Sequence, residues 1–257
     1  MAASEESMAT PLSLTPDEKV RYRRQLILPE IGAHGQQRLK RATVMIAGLG
    51  GLGSISAFYM AAAGVGHLKI VDADRVAGHD LNRQILHATA DIGRLKTASA
   101  LSRLGALNPL CHIEAISARI EDQSIGPMIE GCDLVIDGLD TLDARRALNR
   151  AALKAGIPYI FGGVNGFDGM AATFIPGRSA CLECIFPETI ESTPEETGVI
   201  GPAAGVVASL QCIEAVKLLV GKGADLAGVL MHFHGLGMRF KKVAVDRNPD
   251  CPVCAPK

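Results

Sequence analysis

The run Gly48-Leu49-Gly50-Gly51-Leu52-Gly53 has the GxGxxG spacing and stands between an apolar run that reads as a strand and a small-residue run that reads as a helix. Without Cβ atoms the backbone can turn tightly and approach a phosphate, and the following helix offers unpaired N–H groups and the positive end of its dipole. Asp72 closes the next apolar run, where an acid can accept the hydroxyls of a ribose. Together these residues favour a nucleotide over a purely structural glycine turn. Alone, they fit a nicotinamide or flavin cofactor.

The charges that follow point elsewhere. Asp74, Asp80, Arg83, Arg94, Lys96 and, later, Asp140 fall where the C-terminal edge of a parallel sheet is expected, which is where open α/β folds place their ligands. Cleavage of ATP between its α and β phosphates needs donors for the triphosphate and Mg²⁺ to offset its charge. Arg83 and Lys96 are candidates for the first task, and Asp140 for binding Mg²⁺. The alternative for each residue taken singly is a surface ion pair.

A second constellation is made of thiols. Cys181-Leu182-Glu183-Cys184 and Cys251-Pro252-Val253-Cys254 each put two cysteines at the i, i+3 spacing of a metal knuckle. A tetrahedral set of four thiolates selects zinc, or less often iron–sulfur, and leaves no position open for a substrate, so the expected role is structural. Two redox pairs, or a disulfide between them, are the rivals. Cys111, Cys132 and Cys212 lie singly in apolar surroundings and read as buried, inert thiols.

The elements that must carry these groups alternate. Thr15-Pro16-Asp17-Glu18 reads as a helix start, with the helix running through Arg24 or beyond, and 36–40 as a short helical turn. Strands are expected at 42–47, 67–71, 112–116, 134–136 and 158–161, and helices at 52–63, 96–107 and 141–155. That order predicts an α/β fold: a Rossmann-like, mostly parallel sheet flanked by helices. Past Gly162 the pattern changes to a strand at 170–175, a strongly apolar helix at 202–220 and a hairpin at 229–233 and 239–245, an antiparallel C-terminal extension beside the zinc site. A turn is expected at Phe167 to Gly169, and no internal repeat is found.

With these motifs in order the chain resembles the bacterial E1-like family of molybdopterin-synthase and thiamine-sulfur-carrier adenylyltransferases, relatives of the ubiquitin-activating enzymes. The resemblance runs from Arg21 to Cys254. It rests on Arg21-Tyr22-Arg23-Arg24-Gln25, Gly48 to Gly53, Asp72-Ala73-Asp74, Leu81-Asn82-Arg83-Gln84, Gly93 to Lys96, Asp137 to Asp140, Gly198 to Pro202 and both CxxC pairs. It implies a disordered tail over 1–14 and a single adenylation domain over 15–257, with a nucleotide-binding half (15–161) and a carrier-binding, zinc-bearing half (162–257). It also implies that Asp72 holds the ribose, Arg83 and Lys96 the phosphates and Asp140 the Mg²⁺, with Asp74 and Asp80 beside the nucleotide. Arg24 would reach across a homodimer into the neighbouring site. The implied substrate is the C-terminal Gly-Gly carboxylate of a small ubiquitin-like sulfur carrier, whose adenylate a sulfurtransferase or cysteine donor later converts to a thiocarboxylate.

Three departures from the family pattern stand out. Asp80 occupies a position usually held by Asn, Thr193-Pro194 stands where many relatives carry Thr-Cys, and His234, with His232 in register, replaces an Asp. Plain adenylation survives the missing thiol, whereas a covalent thioester there does not. The acidic segment from Glu188 to Glu196 is expected as a crossover over the carrier's tail or as a solvated loop.

Composition bounds the partners. With 26 basic against 27 acidic residues and a net charge of -1, no global field exists to hold nucleic acid or an anionic membrane. The N-terminal run has no basic stretch leading into a long apolar segment, so the expected location is cytoplasmic. Competing functions are the same adenylation on a peptide or small carboxylate, a non-catalytic nucleotide-binding scaffold, and an NAD-dependent oxidoreductase.

Overall fold

The computed structural model describes residues 13–189 and 198–255. The chain enters through α1 (Pro16–Arg21) and α2 (Arg23–Leu26), followed by α3 (Gly32–Arg41) and β1 (Thr43–Ala47). Then come α4 (Gly51–Ala63), β2 (His67–Val71), α5 (Lys96–Leu107), β3 (His112–Ile116), α6 (Ile125–Ile129), β4 (Leu134–Asp137) and α7 (Leu142–Ala155). The last part comprises β5 (Tyr159–Asn165), β6 (Asp168–Phe174), α8 (Leu182–Ile185), α9 (Gly201–Val220), β7 (Val229–His234) and β8 (Arg239–Ala244).

All eight strands form one sheet in the order β3-β2-β1-β4-β5-β6-β7-β8. The first five pair in parallel, and β5 with β6, β6 with β7 and β7 with β8 pair antiparallel. Strand order reverses direction between β1 and β4, which opens a crevice beyond their C-terminal ends at Gly48 and Gly138.

Strands buried on both faces read as continuous apolar runs, and β1 and β4 do. Val44, Ile46, Leu68 and Ile70 pack under α4, α5 and α9, while Met45, Val135, Tyr159 and Phe161 pack under α6 and α7. At 20 residues α9 has the length and apolarity to cross a membrane. Its Ala204, Val207, Ala208 and Ala215 are instead buried against the sheet and α4, which makes it a core helix.

Differences from the sequence expectation have local causes. The entry helix is capped by Thr15 and Glu18 as read, but breaks at Tyr22, whose buried ring lies under Gly64 and whose hydroxyl accepts from Asn108 Nδ2 at 2.9 Å. The short turn at 36–40 belongs to the ten-residue α3. The turn expected over 167–169 is tighter, since Asp168 and Gly169 already belong to β6.

Candidate active site

Between β1 and α4 the chain is shaped by backbone-on-backbone contact. Gly48 has φ +87°, and a Cβ there would stand 2.7 Å from Gly138 O. A Cβ on Gly53 would stand 1.8 Å from Gly48 O. Gly138 is a member of this contact that the sequence reading missed, because its own Cβ would come within 2.8 Å of Gly48 O and 2.9 Å of the Gly53 backbone. Gly50 caps α4 without a side-chain bond, so the first-turn N–H groups of the helix have no intrahelical partners. Gly51 packs against Ala204 of α9 and the stem of Arg83.

Asp72 holds this turn from the end of β2. Its Oδ2 accepts the Leu49 N–H and its Oδ1 the Asp74 N–H, both at 2.7 Å. Burial pushes its pKa up, and the Lys96 ammonium and the two N–H groups pull it back.

Lys96 is buried at the first position of α5, a poor place for a cation because the helix dipole is positive there. Two carboxylates offset that cost: Asp74 Oδ2 lies 3.3 Å and Asp80 Oδ2 4.0 Å from its Nζ. Asp80 is itself buried, accepts the Ala77 N–H at 3.0 Å and Gln84 Nε2 at 2.8 Å, and lies 3.6 Å from the Arg83 guanidinium. Arg83 Nη1 is fixed by His79 O at 2.8 Å, and its backbone lies against the start of α9 at Gly201. Asp74, Asp80, Arg83 and Lys96 therefore form one cluster. Arg94 stands apart from it, bonded to Asp91 at 2.6 Å.

Asp140 lies two residues beyond Gly138, exposed, ahead of α7, with no hydrogen bond or ion pair to its side chain among the described residues. Behind it Asp137, also missed as a functional group, is fully buried and accepts from Arg145 Nε at 3.0 Å, Tyr159 OH at 2.9 Å and the Leu139 N–H at 2.8 Å. Burial raises its pKa, opposed chiefly by Arg145. Arg145 also bonds Leu139 O and Gly162 O, so this network fixes the loop that carries Asp140.

The thiols converge far along the chain. Cys181 Sγ lies 3.9 Å from Cys184 Sγ and 3.7 Å from Cys251 Sγ, Cys184 Sγ lies 3.6 Å from Cys254 Sγ, and all four sit within 4.8 Å of one another. A tetrahedron with Zn–S bonds of about 2.3 Å has S–S edges of roughly 3.8 Å, so the cluster fits zinc. The lone thiols are buried, which pushes Cys111 and Cys212 up to about 12 and Cys132 up to about 11, leaving them protonated and inert.

The sequence profile of the ThiF family matches residues 22–253. The sulfur carrier protein adenylyltransferase of Thermus thermophilus is 42% identical over 249 residues, covering 93% of this chain and 92% of that protein. The chain belongs to the ThiF family. The SAMP-activating enzyme E1 of Haloferax volcanii is 38% identical over 247 residues, covering 95% of this chain and 91% of its own length. Among solved structures, E. coli MccB with ATP superposes with a TM-score of 0.82 at 24% identity, covering 91% of this chain and 74% of MccB, a likeness of fold. As a ThiF-family protein with these relatives, the chain is an E1-like adenylyltransferase, as the resemblance in its motifs implied.

Other residues singled out with the resemblance lie on α2 and β7. Arg24 is exposed on α2, and the adjacent Gln25 donates to Ala63 O at the C-terminal end of α4. The glycine turn lies at the other end of that 13-residue helix, roughly 18 Å away at 1.5 Å per residue. His234 is half-buried on β7 with Nδ1 2.8 Å from Asp168 Oδ1, while His232 faces Lys241 of β8 in register. Thr193-Pro194 and most of the acidic segment lie outside the described residues.

Proposed function

We propose that the protein adenylates the C-terminal Gly-Gly carboxylate of a small ubiquitin-like sulfur carrier. The observation that carries the reading is the cation–carboxylate cluster of Lys96, Arg83, Asp74 and Asp80 beside a glycine turn, with Asp140, whose carboxylate has no partner among the described residues, on the loop after the neighbouring β4. The names of the relatives support a sulfur carrier as substrate.

In this reading the N–H groups at the start of α4 and the side chains of Lys96 and Arg83 bind the triphosphate, and Asp72 takes the ribose. Asp140, a hard oxygen ligand with no hydrogen-bond partner among the described residues, would hold Mg²⁺, which neutralises phosphate charge when bound. A carboxylate is already a nucleophile, so the protein must only align it and offset charge. One carboxylate oxygen bonds to the α-phosphorus as the bond from that phosphorus to the bridging oxygen breaks. Pyrophosphate leaves with the electron pair, giving the acyl-adenylate. A sulfurtransferase or cysteine donor consumes that product.

Arg24 cannot reach the turn at the far end of its own α4, which favours action in a second copy's site. A homodimer also supplies a cover for the apolar groove of about 660 Å³ lined by Ile55, Phe58, Tyr59, Ile85, Val206 and Leu210. The free thiols and the zinc-fitting cluster suit the reducing cytoplasm. The test is ATP–pyrophosphate exchange with carriers ending in Gly-Gly. Exchange with them and not with truncated carriers is expected; exchange only with an unrelated peptide or acid overturns the carrier assignment.

A further inference from the structure

A buried histidine that no motif singled out ties the glycine turn to α5. His87 is 7% exposed, with Nδ1 2.9 Å from Ser99 Oγ on α5 and Nε2 3.4 Å from Leu49 O in the turn. The same carbonyl accepts Ser54 Oγ at 3.0 Å, while the Leu49 N–H is held by Asp72 at 2.7 Å. Both sides of this residue are thus anchored from inside the protein.

The chemistry of the contacts fixes the ring. The Leu49 carbonyl oxygen only accepts, so that contact assigns the proton to Nε2; Nδ1 of the neutral ring then accepts from Ser99 Oγ–H, whose oxygen also lies against the Asp91 carboxylate and in this tautomer gives its one proton to the ring. Burial and the Lys96 ammonium lower the pKa of His87, against Asp72 and Asp91, which keeps the ring neutral. In a trans peptide the C=O and the next N–H point in opposite directions. Drawing Leu49 O inward therefore turns the Gly50 N–H outward, to the side where a phosphate approaches the start of α4.

We infer that His87 is a positioning residue for ATP: its Nε2–H holds the Leu49 carbonyl inward so that the Gly50 N–H faces the phosphates, and its Nδ1 bond to Ser99 links that turn to the helix beginning at Lys96. This rests on the nucleotide reading above. His87 touches no substrate, and its effect passes through the Leu49–Gly50 peptide.

The test uses full-length, zinc-loaded protein and the probe α,β-methylene-ATP with Mg²⁺, titrated by calorimetry. His87→Phe, which fills the site but donates nothing, leaves Ser54 Oγ as the remaining side-chain donor to Leu49 O and raises the Kd several-fold, within the scale of one net hydrogen bond. The KM for the carrier stays unchanged. His87→Gln, whose amide nitrogen can stand where Nε2 stands, restores most of the affinity; His87→Asn, too short to do so, does not. Independently of any folding defect in the variants, the ¹⁵N spectrum of the wild type shows His87 with a protonated Nε2 and a bare Nδ1 at pH 7.5, above the ordinary histidine value from which burial lowers it. A proton on Nδ1, unchanged affinity in His87→Phe, or failure of His87→Gln to rescue overturns the inference while leaving the function intact. A wild type that binds no probe sinks the nucleotide reading and this inference with it.

Discussion

The middle of the sheet and its β8 edge are built on opposite terms. Around β1 and β4, glycine backbones touch one another with no room for a methyl group, and carboxylates and cations are buried in fixed partnerships. Around β7 and β8 the strands are largely accessible, β8 is exposed at every position, and four thiols gather the chain from either side of the hairpin. A site that must hold phosphates in one geometry is shaped by steric exclusion, whereas a surface free to meet a partner can leave its anchoring to a metal.

The sharpest way to break this contrast is Gly53→Ala. Its Cβ would overlap Gly48 O at 1.8 Å, so the variant should fail to yield folded protein, read by circular dichroism and thermal melting; a stable, ATP-binding Gly53→Ala would show that the turn has slack. Asp140→Ala should leave the melting curve in place, since the exposed carboxylate has no protein partner among the described residues, yet cut pyrophosphate exchange by about 10²-fold or more, as loss of a group that offsets phosphate charge does. Cys184→Ser should do the reverse: zinc content falls, stability drops on the order of 4 kcal/mol, and a chelator reproduces the loss in the wild type but adds nothing to the variant. Equal damage to nucleotide binding and to stability would dissolve the distinction between the two regions.

Smaller effects sharpen it. Asp80→Asn removes an anion that competes with phosphate for Lys96 and Arg83, and Gln84, whose buried Oε1 has no partner among the described residues, can rotate to accept from the new amide. The Kd for ATP should fall several-fold by calorimetry, the scale of about 1 kcal/mol that a unit charge exerts at about 4 Å under water-like screening. Toward the β8 edge, His234 holds the Asp168 carboxyl below the ordinary aspartate range. A depressed carboxyl contributes stability that is complete above the pKa it has unfolded and is lost as pH falls through its folded value. Asp168→Asn should therefore lower stability slightly at neutral pH, a small loss because the pair is solvent-screened, and the gap to the wild type should close as pH falls through the folded value of the carboxyl.

What the sequence made legible follows from how local each signal is. The glycine spacing, the apolar runs of β1, β2 and β4, the Thr15 cap and the paired cysteines are all patterns within a few residues, and the structure places them as read. The short α6 and α8 carry too few turns to show a period, and the break at Tyr22 is imposed by packing under Gly64. Gly138 meets Gly48 and Gly53 only once β1 and β4 lie side by side, and His87 meets Leu49 only when α5 closes over the turn. No spacing rule reports such meetings. Asp137 carried one signal that went unused: it is an acid at the end of a strand buried on both faces, and such a carboxylate must have partners.

Once the thiols share an ion, α9, β7 and β8 belong to a ring of chain closed at Cys184 and Cys251. A single protease cut inside that ring would leave both fragments travelling together on a native gel. Stripping the metal under denaturing conditions would let them separate, so the integrity of the clasp can be read from migration alone.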